Sequence, residues 1–448
     1  MKQYKRGVNL IWAIPASILL ALALLFILPR AAADAPIFQR GVVNDGSESL
    51  LPSSPGLRIA VASDLHLDPD NTDKENAASE TVYNMEIVDA MLWDAKRQGA
   101  EILLLTGDLV NGGKEHKHLA LTEKLRQAEE TGLKIYVLPG NHDLYPVTQT
   151  AFAQYYADFG YTDAYSRDSA SLSYCVILDD LMLLMMDTAG YEPHAIDLTA
   201  GLAYAGRAGL LDGSSDAQAF LSDQTITWAE SMLKEARDRG LFVLCASHYN
   251  LIPAISRQTG TGYYVENGAR FAALLEEYQV PLHLSGHMHL RGVYQEEGLT
   301  ELLTECLTAY PVAYGVLDLT DNELVYTPCS LDVSAWASLH RQTDPVLLRF
   351  ADWQRERRLA GCRSTAALLA EKRGVSESDT ALAADFFYDF LESYWHGTLY
   401  YEAEGLMQSA GYAPFMACAE GSSYGPWVQD LLDNASPLLA GFTLKLNF

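Results

Sequence analysis

Five short segments of this 448-residue chain end apolar runs in residues able to hold a cation or move a proton. They are Asp64-Leu65-His66, Gly107-Asp108, Gly140-Asn141-His142-Asp143, Ser247-His248 and Gly286-His287-Met288-His289. Imidazole, carboxylate and amide oxygen are the donors that borderline and hard divalent ions take. Residues at i and i+2 of an extended segment project to one side, so Asp64 with His66, and His287 with His289, each offer two donors. The glycines in these segments suit sharp bends beside a crowded site. Asp64, His66, Asp108, Asn141, His248, His287 and His289 are too many donors for one tetrahedral ion. They suit two ions sharing a carboxylate, a pair about 3.5–4 Å apart that clamps the attacking and leaving oxygens of phosphoryl transfer.

The elements that must position these residues read as strands. Apolar runs cover Leu57–Ser63, Glu101–Thr106, Lys134–Leu138, Leu172–Asp187, Leu241–Ala246 and Val280–Leu284. Helical patterns fall near Ala77–Gln98, Leu119–Thr131 and Asp223–Arg239, the last with Asp223 as N-cap and Gly240 after its basic end. That alternation predicts an α/β sheet whose strands bring their carboxyl ends to one edge, where ligands bind. From Gly292 to Val333 the alternating pattern predicts antiparallel strands that close the domain. The remainder, Ser334–Phe448, lacks strand signals and reads as helical, with breaks near Gly361, Gly374, Gly405 and Pro437. Its aromatic cluster from Phe386 to Tyr401 alternates with acidic residues and reads as a helical core packed on the catalytic domain.

The ordered set DLH, GD, GNHD, H and GHMH resembles the calcineurin-like metallophosphoesterases, over roughly Leu57 to Asp332 and in that family's order. Each motif alone is weak; their order and their placement at strand ends carry the match. The resemblance implies a four-layer α/β/β/α sandwich. By position it implies that Asp64, His66, Asp108 and His289 hold a first cation, and Asp108, Asn141, His248 and His287 a second, with Asp108 bridging. Manganese, iron or zinc would suit these donors. His142 matches the family's histidine that steadies the transition state or protonates the leaving oxygen, so His142 and Asp108 are the expected catalytic residues. The implied reaction is phosphoester hydrolysis by a hydroxide shared between the ions. Phosphodiesters are favoured by the motif layout, with phosphomonoesters the alternative. A metal-retaining, non-hydrolytic scaffold is the rival from another class, and the intact donor set argues against it. Tyr249 stands where many members carry a second histidine, a departure that touches substrate contacts and not the metal set. Asp143 reads as orienting a neighbouring ring or as a plain helix N-cap. Tyr310-Pro311 and Tyr314-Gly315 resemble features of exported bacterial relatives.

At about 150 residues per domain the length suggests two or three domains, and 49% hydrophobic with 20% charged residues is a globular composition. A formal net charge of −27 repels a nucleic-acid backbone, so no nucleic-acid binding is expected, while a local cation site can still accept a phosphate. Lys2, Lys5 and Arg6 precede an uncharged run from Val8 to Leu28, which suits a spanning helix of ~20 residues better than a signal-peptide core. The basic residues keep the N-terminus cytoplasmic. The expected organisation is a single-pass membrane anchor over 1–28, a linker over 29–56, a catalytic domain over 57–333 outside the cytoplasmic membrane, and a helical region over 334–448. Small residues from Ala31 to Ala35 would allow cleavage and a secreted form. The six cysteines read as scattered thiols; Cys175 and Cys245, inside apolar runs, read as buried, and Cys306 and Cys329 have no spacing that argues for a pair. His116 and His118 read as exposed loop residues, His283 as a satisfied core or supporting residue, and His194, His340 and His396 as structural. Lys114, Lys117 and Arg257 read as solvated surface, with phosphate contact the alternative. Protein partners stay open.

Overall fold

The computed structural model describes residues 56–74, 80–144, 146–189, 219–252, 263–296 and 298–446. The expected anchor, 1–28, lies outside the described residues, as do the linker up to residue 55, His194 and Arg257. Among the described residues no helix is long and apolar enough to cross a membrane.

The first half alternates strand and helix: β1 (Leu57–Ala62), α1 (Asn84–Arg97), β2 (Ile102–Leu105), α2 (Glu115–Glu129), β3 (Lys134–Val137) and α3 (Gln149–Tyr155). There follow β4 (Ser166–Arg167), β5 (Tyr174–Leu178), β6 (Leu181–Met186), α4 (Asp223–Arg239), β7 (Phe242–Ser247), α5 (Gly268–Glu277) and β8 (Leu282–Ser285). The strands β9 (Gly292–Glu296), β10 (Leu299–Leu303), β11 (Ala313–Leu319) and β12 (Glu323–Ser330) come next. The C-terminal part holds α6 (Val333–Leu339), α7 (Phe350–Glu371), α8 (Glu377–Trp395), α9 (Leu399–Gln408), α10 (Tyr412–Cys418), α11 (Tyr424–Asp433) and β13 (Phe442–Lys445).

These strands form two sheets, ordered β13-β12-β11-β1-β2-β3 and β4-β5-β6-β7-β8-β10-β9. A strand's side chains alternate between faces, and β6 displays the consequence. Leu181, Leu183 and Met185 join a core shared with β1, β2, β3 and α1, whereas Met182, Leu184 and Met186 join a core with Ile226 and Leu233 of α4 and Phe271 and Leu275 of α5. Each such fully buried side chain contributes roughly 1.5–3 kcal/mol. The result is a mixed α/β fold of two sheets and many helices.

The structure departs from the sequence pattern in four details. The run Leu172–Asp187 is two antiparallel strands joined at Asp179-Asp180, with Asp179 in the left-handed region. The N-cap of α4 is Ser222, whose side chain accepts from Thr225 N. Strand β10 is not antiparallel to β8: it pairs parallel with it, because β9 lies outside and the chain turns back between them. The C-terminal part is not wholly helical either, since β13 pairs antiparallel with β12 and extends the first sheet.

Candidate metal centre

Parallel pairing of β1 with β2 and β3, and of β6 with β7, β8 and β10, collects the carboxyl ends of these strands. Backbone bonds then lock the loops together: Asp64 N donates to Gly107 O (3.0 Å), His66 N to Asp108 O (2.9 Å) and Gly286 N to His248 O (2.9 Å). Room is tight. A side chain at Gly140 would overlap Asp108, and one at Gly107 the His248 ring. Among the described residues nine non-glycine residues have positive φ, and five of them are Asp64 (53°), His66 (42°), Asp108 (49°), His287 (65°) and His289 (55°). Such conformations cost of order 1–3 kcal/mol each and persist where surrounding structure enforces them, typically at functional sites.

The donors fall into two groups with one member in common. Ligand atoms of Asp64, His66, Asp108 and His289 lie within 4.8 Å of one another, as do those of Asp108, His248 and His287. Asn141 joins the second group, with its Oδ1 3.1 Å from both His248 Nε2 and His287 Nδ1. Within the first group His66 Nε2 and His289 Nε2 face each other at 3.0 Å. Asp108 divides its carboxylate: Oδ1 lies 3.4 Å from His248 Nε2, and Oδ2 lies 3.8 Å from His66 Nε2. The Nδ1–H of His248 donates to Thr106 O at 2.9 Å, which turns Nε2 to the site.

The electrostatics are those of a site short of positive charge. Burial pushes the Asp64 carboxyl up, but His289 outweighs it and holds the group well below the usual carboxylate range. Asp108 is likewise held low against burial, chiefly by His248. Burial acts downward on His248, yet the Asp108 charge raises it to about 9. Burial, with the neighbouring His142, takes His66 down to about 3. Among the described residues the ionic partners of both carboxylates are histidines alone, and Asp64 Oδ1 is buried without a hydrogen bond. Two buried carboxylates, one orphaned oxygen and converging imidazole nitrogens fit a pair of divalent cations.

His142 stands beside this set. Its main-chain N–H donates to Asp108 Oδ1 (2.8 Å), and its Nε2 lies 3.9 Å from Asp108 Oδ2. Asp143 is buried and accepts from Leu109 N, Val110 N and Gly140 N, tying the second motif to the third. Burial and the Asp108 charge raise it to about 7, against those three donors. Tyr249 is buried and packs on the His287 ring, with centroids 3.9 Å apart.

All seven expected donors and His142 thus reach one edge. Sequence reasoning misplaced two neighbours, for His118 and Lys117 are buried, not exposed. His118 bonds Tyr156 Oη and Asp143 O, and Lys117 pairs with Asp68 at 2.7 Å. His116 is exposed and pairs with Asp70, which also lies 3.9 Å from Lys114. His283 is buried between Ser247 Oγ and Glu301, whose carboxylate also accepts from Leu251 N and Ile252 N in the loop after His248. Two residues of this edge were not singled out in the sequence for the site, Glu301 and Cys306. The first lies on β10 and the second follows it, and nothing local marks that strand as parallel to β8. All six cysteines are free thiols.

The family model for calcineurin-like phosphoesterases matches residues 57–291. The chain belongs to the calcineurin-like phosphoesterase family. It is a metallophosphoesterase, a phosphoric ester hydrolase, whose fold implies a dinuclear divalent metal centre, and the cluster described above offers donors for one. Similar solved structures include a dimetal phosphatase from Danio rerio, at 12% identity over 61% of this chain and 96% of that one (TM-score 0.47). A purple acid phosphatase from yellow lupin is 12% identical over 62% of this chain and 52% of that one (TM-score 0.39). The anchor in the inner membrane complex of Plasmodium is 12% identical over 61% and 84% (TM-score 0.38). Among curated proteins none matches.

Proposed function

We propose that this metallophosphoesterase hydrolyses phosphodiesters outside the cytoplasmic membrane, from a four-layer α/β/β/α domain (57–333) tethered by a membrane anchor over residues 1–28. Asp64, His66, Asp108 and His289 are assigned to one cation, and Asp108, Asn141, His248 and His287 to the other. The observation that carries this assignment is the division of the Asp108 carboxylate, one oxygen toward each group of imidazoles. Two divalent ions held by these residues would supply Lewis-acid charge to the phosphoester. The chain's own residues orient and protonate. His248, fixed through Thr106 O, keeps its Nε2 aimed inward. His142 has a partly exposed ring whose Nδ1 is buried without a hydrogen bond, so Nε2 is the edge it presents to a departing oxygen. The extracytoplasmic placement rests on the basic residues before the apolar run Val8–Leu28, and the diester preference on the layout of the motifs.

The test is hydrolysis of an aryl phosphodiester against the matching monoester by the manganese-loaded protein, with Asp108→Asn as control. Diester turnover at least about tenfold above monoester turnover, and lost in the control, is expected. Dominant monoester turnover makes the protein a phosphomonoesterase. Two bound ions with no turnover of either ester make it a metal-binding scaffold. Alkali extraction of membranes tests the anchor: a protein released from the pellet overturns it.

A further inference from the structure

Cys306 follows β10, the strand whose parallel pairing with β8 adds a further carboxyl end to the site. It is fastened there from both sides. Ser63 and Cys306 form a parallel bridge, and Leu307 N donates to Ser63 O at 3.0 Å. The side chain is 2% exposed, and its thiol donates to Asp64 O at 3.1 Å. Its Sγ lies within 4.8 Å of ligand atoms of His66 and His289, in a group separate from the one these histidines form with Asp64 and Asp108, and the two Nε2 atoms converge to 3.0 Å. The fully buried Asp64 Oδ1, which lacks a hydrogen bond, is 3.2 Å from that same His289 nitrogen. The other thiols lie elsewhere: Cys175 and Cys245 in the core under α4 and α5, Cys362 and Cys418 in the C-terminal helical core, and Cys329 on β12. Among the described residues, Cys306 is the cysteine grouped with imidazoles in a metal-binding geometry.

We propose that Cys306 is a ligand of the cation held by His66 and His289, and that its sulfur makes this position prefer thiophilic ions such as zinc over manganese. Soft thiolate donors favour zinc, whereas oxygen donors suit manganese, so one sulfur among nitrogen and carboxylate donors shifts the selectivity of one ion and not of the other. The second group, Asp108, Asn141, His248 and His287, contains no sulfur. On binding, the S–H···O=C contact with Asp64 is replaced by a sulfur–metal bond, and the thiol's proton passes to the buffer. No electrons are transferred. The inference rests on the dinuclear reading given above.

The test uses the purified full chain, stripped of metal and reloaded. With cobalt(II) as a spectroscopic substitute for zinc, the wild-type protein is expected to show a thiolate-to-cobalt charge-transfer band in the near ultraviolet. Cys306→Ser is expected to lose that band while still binding two ions per chain, and its preference for zinc over manganese is expected to fall about tenfold. X-ray absorption at the zinc edge of the wild-type protein needs no variant, and should show a sulfur scatterer at about 2.3 Å around one of the two ions. Two bound ions with only nitrogen and oxygen scatterers, or identical cobalt spectra in the two proteins, would overturn the proposal and leave the dinuclear centre standing. A wild-type chain that binds no ions overturns both.

Discussion

The strand-end edge and the C-terminal helical part solve the same backbone problem in opposite ways. Both need left-handed turns. Between Phe350 and Asp433 these fall at glycines, Gly374, Gly397 and Gly421, and among the described residues no other residue type there has positive φ. At the edge Gly107 is one such position, but the others are Asp64, His66, Asp108, His287 and His289, where glycine would be easier but has no side chain to offer. The interiors differ likewise. The helical part buries stacked aromatics, such as Phe387 on Phe415 (centroids 5.0 Å) and Phe390 edge-on to Trp427 (5.6 Å). The edge buries carboxylates and imidazoles that repel as well as attract. One region contributes stability and the other stores strain for chemistry, and Arg358 of α7, between Tyr310 and Trp395, joins the two.

Substitutions in each region should therefore separate turnover from stability. Asp108→Asn removes the divided carboxylate and is expected to lower kcat at least about 10³-fold while the chain still folds. An unfolded variant, or one with ordinary turnover, would break the distinction at its strongest point. Phe390→Ala should do the reverse. It empties a fully buried position in α8 and is expected to cost about 3–5 kcal/mol in denaturant unfolding, while kcat per folded molecule stays within about twofold.

The edge was legible in the sequence because each of its five motifs is local: a strand end and the two or three residues after it. Strand neighbours are not local. The chain from Val280 to Val333 reads as strands and turns whichever way β10 runs, and only packing places β9 outside it. Cys306 and Glu301 were hidden for that reason. In the same way, β13 is four residues long and would not be a strand without β12 to pair with. Lys117 and His118 sit in a polar stretch, EHKH, whose composition suggests solvent. Helix α2 turns both inward, where Asp68 and the Asp143 carbonyl receive them.

That buried His118 gives the comparison a pH dependence. Burial takes its pKa down to about 4 from 6.5, against the hydrogen bonds it makes. The folded state therefore declines a proton that the unfolded state accepts, and stability is lost as the pH falls from 6.5 toward 4. The full shift corresponds to about 3 kcal/mol. Unfolding of the metal-free protein at pH 7 and pH 4 should show a loss larger by roughly that amount than in His118→Gln. Equal losses would mean that the ring is charged in the folded state, and that the support behind the edge is more polar than its burial implies.

The smallest expected effect is the most direct probe of stored strain. His289 has φ 55°, a conformation that costs any residue with a Cβ about 1–2 kcal/mol. His289→Gly and His289→Ala both remove the imidazole, and differ only in that Cβ. In the metal-free protein the glycine variant should be the more stable by about 1 kcal/mol, even though glycine loses more chain entropy on folding. At the exposed Ala381 in α8 the order must reverse, with Ala381→Gly losing about 1 kcal/mol. Opposite signs for the same exchange would locate the strain in the backbone of the metal site. Equal signs would mean that the strand ends adopt their left-handed turns only once their ions are bound.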